Sequence, residues 1–298
     1  MKITKKLITA LAALSLALLC SVQAFADTYY YTDGYIYTMP DQNHAVIYGI
    51  DSEDYSEIDF PELVRYKWVS AVGIYAFSGD EKVTSVSCEN ASRMEKISAY
   101  SFENCKNLTS VKLSPSIVTI GTGAFEGCSS LASVDFAGSG VEVIPTQAFY
   151  GCTSLEEVEI PSKVKTIGPF AFANCSALST VTIGDSVTEI ADTAFDGDSD
   201  VIIACNTGSY ALQYAEENKI DHIVLDGDKT GDVNGDGVVD ILDATEIQKY
   251  AAESTNFTPE QFELGDINKD GYCNVIDALL VQKSVIGAYE IPQNIIRY

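Results

Sequence analysis

Oxygen-bearing side chains recur with one spacing in two twelve-residue stretches near the end of the sequence. The stretches begin at Asp232 and Asp266, and each has Asp or Asn at positions 1, 3, 5, 9 and 12 and glycine at position 6. Calcium takes about six to eight hard oxygen ligands, and such a loop supplies them from those side chains and from the carbonyl at position 7. One copy alone would fit an acidic turn without metal. Two copies, each leading into a segment with helical apolar spacing, predict two calcium loops.

The two predicted loops would hold two Ca2+ ions through twelve residues. In chain order these are Asp232, Asn234, Asp236, Val238 by its carbonyl, Asp240, Asp243, Asp266, Asn268, Asp270, Tyr272 by its carbonyl, Asn274 and Asp277. Position 12 is Asp, where an EF-hand has Glu. The approach to the first loop, 226–231, is too short and glycine-rich to be a helix. We therefore expect each loop to lead into a helix, with a short third helix starting at Thr258-Pro259 between the copies.

The motif Gly-Asp-x-Asn-x-Asp-Gly, present at 231–237 and 265–271, resembles the type I dockerin family over about residues 228–298. The resemblance implies a small all-α domain by which secreted bacterial proteins attach to a cohesin domain of a cellulosomal scaffoldin. It maps the cohesin contacts to Ile241, Leu242, Gln248, Lys249, Val275, Ile276, Gln282 and Lys283. Many relatives have small hydroxyl residues at loop positions 10 and 11, so the branched apolar residues here imply a cohesin with an apolar surface. The near-identical contact sets imply docking in either of two orientations.

Phenylalanine marks a second repeat. It recurs at Phe77, Phe102, Phe125, Phe149, Phe172 and Phe195, with spacings of 25, 23, 24, 23 and 23 residues. A period in this range predicts a solenoid in which each coil buries its apolar residues against its neighbours. Gly or Asn stands two residues after every one of these phenylalanines. Because Gly and Asn tolerate positive φ, we expect each coil to turn there.

The repeat unit, approximately Ile-x-x-x-Ala-Phe-x-Gly/Asn-Cys-x-x-Leu-x-x-Val-x-Ile, resembles the BspA-like bacterial leucine-rich repeats over about residues 45–222. The resemblance implies an extracellular solenoid associated with adhesion and recognition. The Tyr-rich, alternating segment 29–50 predicts an N-terminal hairpin cap. Residues 206–219 resemble the helical cap that closes such arrays. Caps are needed because an open solenoid end exposes its core.

Four cysteines hold the same position in successive coils, and aspartates replace them in the end coils; in chain order the column is Asp80, Cys105, Cys128, Cys152, Cys175 and Asp198. In a secreted protein such cysteines are either disulfides or a column of buried thiols. Equivalent side chains of stacked coils run parallel, whereas a disulfide requires them to converge. The sequence therefore favours buried thiols.

The chain has 18 basic and 43 acidic residues and a net charge of −25. This charge argues against binding to nucleic acid or to an anionic membrane surface, both of which need clustered Lys and Arg. Residues 1–26 have the basic start, apolar centre and small-x-small end of a secretory signal, and the apolar run is too short to span a bilayer. A lipoprotein signal at Cys20 is disfavoured because bulky Leu19 precedes it. We expect a secreted protein without membrane insertion.

The predicted organisation has four parts. They are a signal peptide at 1–26, a capped leucine-rich-repeat solenoid at 27–225, a linker at 226–231 and a dockerin domain at 232–298. The predicted fold class is therefore a mainly β solenoid with a period of about 23 residues, followed by a small all-α domain.

No set of residues in the sequence predicts an active site. Catalysis needs a nucleophile with a base, two converging carboxylates or a metal site with an open position. The two histidines, His44 and His222, lie far apart in predicted caps, and the calcium loops are saturated by their own ligands. We therefore predict a non-catalytic recognition or adhesion protein. Two alternatives remain: a hydrolase of polysaccharide or protein, since most dockerin-bearing proteins are enzymes, and a calcium domain that is only a stabilising tail.

The predicted ligand face of the solenoid is the row of side chains that alternate outward along the repeat strands. Its members include Lys112, Asp135, Glu159 and Thr182, and its middle is acidic. The polar side of any half-buried sheet has the same pattern. Protein, polysaccharide and cell surface therefore all remain possible ligands.

Overall fold

The computed structural model describes residues 29–289 except 33, 53, 137, 199 and 226–229, together with 291 and 295–296. The predicted signal peptide and most of the predicted linker lie outside these residues. Contacts divide the chain into two compact units: one reaches residue 179 and includes 186–200, and the other has 180–185 and the chain from 201 onward. The domain boundary near residue 226 remains a prediction. None of the helices in the described part of the chain has the length and hydropathy of a membrane span.

The first unit begins with an antiparallel meander of three strands, β1 (Tyr30–Thr32), β2 (Tyr35–Thr38) and β3 (His44–Ile50). Gly34 lies in the β1–β2 turn with a φ of 79°. Strand β3 pairs in parallel with a strand of the next segment, Lys67–Val72. The predicted N-terminal hairpin is therefore present, and a third strand connects it to the repeats.

The repeat coils contribute short strands to two columns of parallel strands. The first column contains β4 (Glu57–Asp59), β7 (Ser85–Ser87), β9 (Ser110–Lys112) and β11 (Ser133–Asp135), and the next coil supplies β13 (Glu157–Glu159). The other column contains β6 (Lys67–Val72), β8 (Lys96–Ile97), β10 (Thr119–Ile120), β12 (Val143–Ile144), β14 (Thr166–Ile167) and β16 (Glu189–Ile190). A short strand, β5 (Leu63–Val64), pairs antiparallel with β6. Val86 pairs with Val111, and Val111 with Val134. The register places equivalent residues of successive coils side by side, which confirms the predicted solenoid.

The marker phenylalanines form one continuous stack inside the solenoid. Consecutive rings from Phe77 to Phe195 are nearly parallel, with centroids 5.2, 5.5, 5.4, 5.3 and 5.7 Å apart. Phe102, Phe125, Phe149 and Phe172 are fully buried. Because each ring packs between the rings of two neighbouring coils, the repeat period read from the sequence is the period of the core.

The column cysteines are free, buried thiols in the structure. Each thiol donates to the carbonyl of the core phenylalanine in a preceding coil: Cys105 to Phe77 at 3.1 Å, Cys128 to Phe102 at 3.0 Å, Cys152 to Phe125 at 3.3 Å and Cys175 to Phe149 at 3.2 Å. Burial raises the pKa of Cys175 to about 12. The thiols are thus small buried side chains that donate hydrogen bonds to backbone carbonyls, and they are not disulfides, as the sequence favours.

Asp198 occupies the cysteine position in the last coil of the first unit and is only 9% exposed. Neither of its carboxylate oxygens has a hydrogen-bond partner in the described chain. Burial is the main cause that raises its pKa to about 7. The backbone N–H of Cys175, although not placed for a regular hydrogen bond, offsets part of the rise, and the charge of Asp196 adds to it. A carboxyl group thus replaces a thiol at a site that provides little solvation for charge.

The residues two positions after the core phenylalanines all have positive φ, as predicted: Gly79, Asn104, Gly127, Gly151, Asn174 and Gly197. Two of these turn glycines lie against a turn asparagine of the preceding coil. A Cβ atom on Gly127 would overlap the side-chain oxygen of Asn104, and one on Gly197 would overlap that of Asn174. At these two turns the backbone angle favours glycine, and a larger residue would also displace the asparagine side chain beside it.

A second position with left-handed backbone conformation lies two residues before each of five core phenylalanines. It contains Tyr75, Tyr100, Gly123, Gln147 and Phe170, with φ values of 56, 55, 60, 57 and 56°. The rings of Tyr75 and Tyr100 stack with centroids 5.1 Å apart. The sequence does not indicate this turn, because four of its five residues are types that rarely adopt positive φ.

The second unit contains the strands β15 (Thr180–Thr182), β17 (Ile202–Cys205) and β18 (His222–Val224), paired in parallel, and β19 (Ile295–Ile296), antiparallel to β18. Helix α1 (Tyr210–Asn218) lies between β17 and β18 and buries Ala211, Tyr214 and Ala215. Ser209 caps its N-terminus by accepting from the Leu212 amide. This is the closing helix that the sequence predicts.

Three further helices follow: α2 (Ile241–Ala251), α3 (Pro259–Gly265) and α4 (Val275–Val285). Helices α2 and α4 bury Ala244, Ile247, Ala278 and Val281 in one cluster with Val233, Ile267 and Cys273. Thr258 and Gln261 form a capping box at the start of α3. The three helices occur where the sequence predicts them.

Candidate calcium loops and exposed helix starts

The first loop, 232–243, is organised by its first and last carboxylates. Asp232 is 4% exposed and accepts the amides of Gly235 and Gly237, each at 2.8 Å. Asp243 is fully buried and accepts the amides of Asn234 at 3.1 Å and Asp240 at 2.8 Å. The chain therefore closes around two carboxylates that belong to positions 1 and 12 of the predicted ligand set.

The second loop, 266–277, repeats this arrangement. Asp266 is 7% exposed and accepts the amides of Asp270 at 3.1 Å and Gly271 at 2.8 Å. Asp277 is fully buried and accepts those of Ile267 at 3.0 Å and Asn274 at 2.8 Å. At position 6, Gly237 and Gly271 have φ values of 86 and 84°. The duplication in the sequence is thus a duplication of backbone conformation.

Positions 9 and 12 of each loop also start the following helix. Asp240 accepts the Leu242 amide at 2.6 Å and Asn274 accepts the Ile276 amide at 2.8 Å. With Asp243 and Asp277 they complete a capping box on α2 and on α4. A capping side chain satisfies backbone donors that a helix leaves unpaired at its first turn. Loop conformation and helix initiation therefore depend on the same side chains.

Four carboxylates crowd the first loop: Asp232, Asp236, Asp240 and Asp243. Burial, together with the charges of Asp232 and Asp240, raises the pKa of Asp243, although the backbone amides of Asp240 and Asn234 oppose the shift. No ion pair within the described chain joins these carboxylates to a basic side chain. An all-oxygen donor set with excess negative charge suits a hard cation such as calcium.

The loop side chains are directed largely at backbone amides. Within the described residues, no three Asp, Glu, His or Cys side chains form a ready metal-binding group. The donor sets rely in addition on Asn234, Asn268 and Asn274 and on the carbonyls of Val238 and Tyr272, which are oxygen donors of the type that calcium accepts. The residues present therefore fit calcium by the chemistry of their oxygen donors.

Helices α2 and α4 each begin with two exposed apolar residues. Ile241 is 52% exposed, Leu242 57%, Val275 63% and Ile276 53%. Further along the helices, Gln248, Lys249 and Lys283 are exposed and Gln282 is half-buried. The structure thus places all eight predicted contact residues at least partly in solvent, in two equivalent sets. Apolar side chains grouped in this way are typical of a protein-binding surface.

The two helix surfaces differ in residues that the family mapping does not include. Leu279, Val285 and Ile286 are exposed on the α4 side by 46, 48 and 77%. The equivalent residues on the α2 side, 34 positions earlier, are Thr245, Ala251 and Ala252. The α4 side is therefore the more apolar. Helical spacing from Val275 and Ile276 to Leu279 was the signal in the sequence for this difference.

The predicted ligand face lies on the outer side of the first strand column. Lys112 and Asp135 are paired residues of β9 and β11, and Glu159 is exposed on β13. Lys112 forms an ion pair with Glu89 at 2.9 Å, and this hydrogen bond is the main cause of the raised pKa of Lys112. In the second unit, Thr182 is half-buried on β15. The alternation that the sequence predicts is present, and the first unit gathers Lys112, Asp135 and Glu159 on one side.

The histidines occupy unrelated environments. His44 is half-buried, and its Nδ1 lies 2.7 Å from Asp41. His222 is 1% exposed on β18, with Nδ1 3.2 Å from the Ile220 carbonyl. His44 belongs to the N-terminal cap and His222 to the closing cap, as the sequence predicts for both.

Family comparisons match both regions. Residues 70–202 match the model of the BspA type leucine rich repeat region in six copies, and residues 230–286 match that of the dockerin type I domain. These matches confirm the two resemblances seen in the sequence. Type I dockerin domains bind calcium and imply a cohesin partner. No curated protein matched the chain.

Solved structures similar to this chain are bacterial leucine-rich-repeat proteins. A leucine rich cell surface protein from Faecalibacterium prausnitzii is 23% identical, with a TM-score of 0.50, over 60% of this chain and 55% of its own. The Treponema (T. pallidum) leucine rich repeat protein is 23% identical, with a TM-score of 0.46, over 62% of this chain and 86% of its own. The present chain thus spans little more than half of the Faecalibacterium protein, and that likeness concerns the repeat fold.

Proposed function

We propose that this chain, in which BspA-type leucine-rich repeats are followed by a type I dockerin domain, is a secreted, non-catalytic recognition protein held on a cellulosomal scaffoldin. The dockerin, at about 232–298, would bind a cohesin domain, and the solenoid, at about 27–225, would bind the ligand. Such a protein would give a polysaccharide-degrading complex a domain that binds a further ligand. The paired loop-and-helix units with exposed apolar starts are the observation that carries this proposal.

Calcium would be held by the side chains at loop positions 1, 3, 5, 9 and 12 and by the carbonyls of Val238 and Tyr272. When bound, it supplies positive charge between carboxylates that otherwise repel one another. Asp240 and Asn274 hold the first amides of α2 and α4. The loops would thereby orient Ile241, Leu242 and their counterparts in the second copy toward a cohesin.

The binding role of the solenoid is supported by its side-chain chemistry. Its thiols are buried. Burial raises the pKa of Cys88, Cys152 and Cys175, which leaves little of the thiolate that a nucleophile needs. His44 and His222 lie in different caps. The outer row of the first unit, with Lys112, Asp135 and Glu159, is a polar surface suited to recognition, and we retain it as the candidate ligand face.

Calorimetric titration of the full chain with recombinant type I cohesins tests the anchoring role. We expect binding in calcium, loss of binding in excess chelator, and loss in the variant Asp243→Ala with Asp277→Ala. The matched control is Asp196→Ala in the repeats, which should bind like the wild type. Absence of binding to every cohesin in calcium would contradict the anchoring role. Turnover of plant polysaccharides or protein substrates that persists after deletion of 226–298 would instead establish the hydrolase alternative.

A further inference from the structure

The hairpin Leu63–Trp68, formed by β5 and the start of β6 and named here the Arg-Tyr hairpin, has an unusual tip. Arg65 and Tyr66 make its two-residue turn with φ values of 47 and 66°. Turns of this type strongly prefer Asn-Gly, because both central residues need positive φ. Tyr66 is 91% exposed. A bulky side chain held in strained backbone and in solvent is the kind of arrangement that concentrates at functional sites.

The base of the hairpin contains the single tryptophan of the chain, Trp68. Trp68 pairs across the hairpin with Leu63, which is 42% exposed. The guanidinium carbon of Arg93 lies 4.1 Å from the centroid of the Trp68 ring. An arginine that rests on an aromatic face keeps the N–H groups at its edge for an anionic partner. Arg93 forms no ion pair within the described chain.

Charge at the hairpin is opposite in sign to the charge of the whole protein. Two of the three arginines of the sequence, Arg65 and Arg93, occur here in a chain of net charge −25. Lys67 and Lys96 add two more positive charges on β6 and β8. Two acidic residues, Glu62 and Glu95, belong to the same segment, and Glu62 accepts the Ser92 hydroxyl at 2.9 Å. The local excess of basic charge favours an acidic partner.

We propose that the Arg-Tyr hairpin docks on a partner protein surface that carries carboxylates around an apolar pocket. Tyr, Trp and Arg are the residue types that contribute most to protein interfaces. Tyr66 projects from the tip and would fill the pocket, and the arginines would pair with the carboxylates around it. The hairpin is separate from the outer row of Lys112, Asp135 and Glu159, so the solenoid has a second recognition surface.

An acidic polysaccharide fits this surface less well than a protein does. A sugar ring stacks on an open aromatic face, but the face of half-buried Trp68 is occupied by Arg93. The remaining ring, that of Tyr66, stands alone at the end of a turn. A projecting side chain of this kind inserts into a cleft in another molecule, and protein surfaces supply such clefts.

A phage library of one small folded domain with randomised surface loops, selected on the calcium-loaded full chain, tests the proposal. Selected domains are purified and labelled, and their affinities are measured by fluorescence anisotropy for the wild type, Arg93→Gln, Tyr66→Asn and Phe170→Asn. Asn tolerates positive φ, so Tyr66→Asn keeps the turn while removing the ring. Phe170 is also exposed at positive φ, in a different coil, which makes Phe170→Asn the matched control. Melting curves verify that every variant is folded.

We expect selected domains with Asp or Glu around an apolar pocket, bound about tenfold more weakly by Arg93→Gln and by Tyr66→Asn and equally well by Phe170→Asn. The proposal is overturned if no such domain is selected or if its affinity is the same for all variants. It is also overturned if polygalacturonate, and no selected domain, binds in an Arg93-dependent manner. Sedimentation that shows self-association lost in Tyr66→Asn would identify a second copy as the occupant instead.

Discussion

The ionisation of one residue, Asp198, should make the stability of the solenoid depend on pH. Its pKa is raised from 3.8 to about 7 in the folded state, mainly by burial. The folded protein therefore binds this proton more tightly than the unfolded chain does. The stability contributed by the protonated form is fully present below pH 4, decreases as the pH rises toward 7, and is absent above that value.

We predict that Asp198→Asn stabilises the repeat domain at pH 8 by about 3 kcal/mol, because Asn has the same shape and cannot ionise. Near pH 4 the variant and the wild type should be equally stable. Urea denaturation at pH 4, 6 and 8 measures the difference, and Asp192→Asn, which removes an exposed carboxylate of the same coil, is the control. A difference that is independent of pH would show that Asp198 ionises normally in the folded protein.

Some residues could be assigned from the sequence and others could not, for physical reasons. The core phenylalanines and the turn Gly or Asn were predictable because the period of the solenoid forces one environment to recur. Asp198 replaces a cysteine in that column, but its burial depends on how the last coil is covered, which a sequence pattern does not specify. The strained Arg65-Tyr66 turn was not predictable. Turns with positive φ are normally predicted from residue types that tolerate it, and Arg and Tyr are not among those types.

At the scale of elements, helices α2 and α4 carry two related exposed apolar surfaces, which the proposed function assigns to cohesin binding. Ile241 with Leu242 and Val275 with Ile276 hold equivalent positions, so the dockerin can bind in two orientations if the partner accepts either set. The α4 side is extended by Leu279, Val285 and Ile286, which have smaller or polar counterparts beside α2. More apolar area removed from water gives tighter binding, so the two orientations should differ in population.

We predict that Val275→Asp with Ile276→Asp, on the more apolar side, weakens cohesin binding about threefold and that Ile241→Asp with Leu242→Asp weakens it only about 1.5-fold. Each pair leaves the other surface intact, whereas all four changes force charge into the interface in both orientations and should remove binding. Titration calorimetry of the three variants measures this. If one double variant abolishes binding and the other has no effect, docking uses a single orientation.

The element boundaries near the calcium loops were well determined by the sequence, because one set of residues acts in both loop and helix. Asp240 and Asn274 are helix caps in the structure and are also loop ligands by their spacing. The short strands were less accessible to prediction. Strands such as β8 and β10 contain two residues each, and they exist only because neighbouring coils pair with them.

At the scale of the whole molecule, the C-terminal region has negative charge that its own basic side chains balance only in part. Residues 228–298 contain 13 acidic and 5 basic side chains, a net charge of −8, and seven of the acidic side chains lie in the two loops. The solenoid is instead held by apolar stacking and strand pairing between its coils. The two regions should therefore respond differently to loss of the metal.

We predict two unfolding transitions in calcium, of which chelator removes one. Without calcium, repulsion between the loop carboxylates is no longer balanced, so α2 and α4 should lose their fold while the repeats keep theirs. Calorimetry with circular dichroism, with and without chelator, measures both transitions. Magnesium at equal concentration is the control for general ionic effects. A single transition that chelator leaves unchanged would contradict independent folding of the two regions.

Two contacts between turns restrict the order in which the coils of this array can be rearranged. The side chain of Asn104 lies against Gly127, and that of Asn174 lies against Gly197. A coil with Asn at its turn fits best before a coil with Gly at the same turn, because a β-carbon there would displace the asparagine amide. Gene duplication or a designed insertion can therefore place a Gly coil after either kind without rearrangement, whereas an Asn coil placed directly after another requires the first asparagine side chain to move. Although the coils look alike in sequence, they are ordered modules, and the array is lengthened with least disturbance at particular junctions.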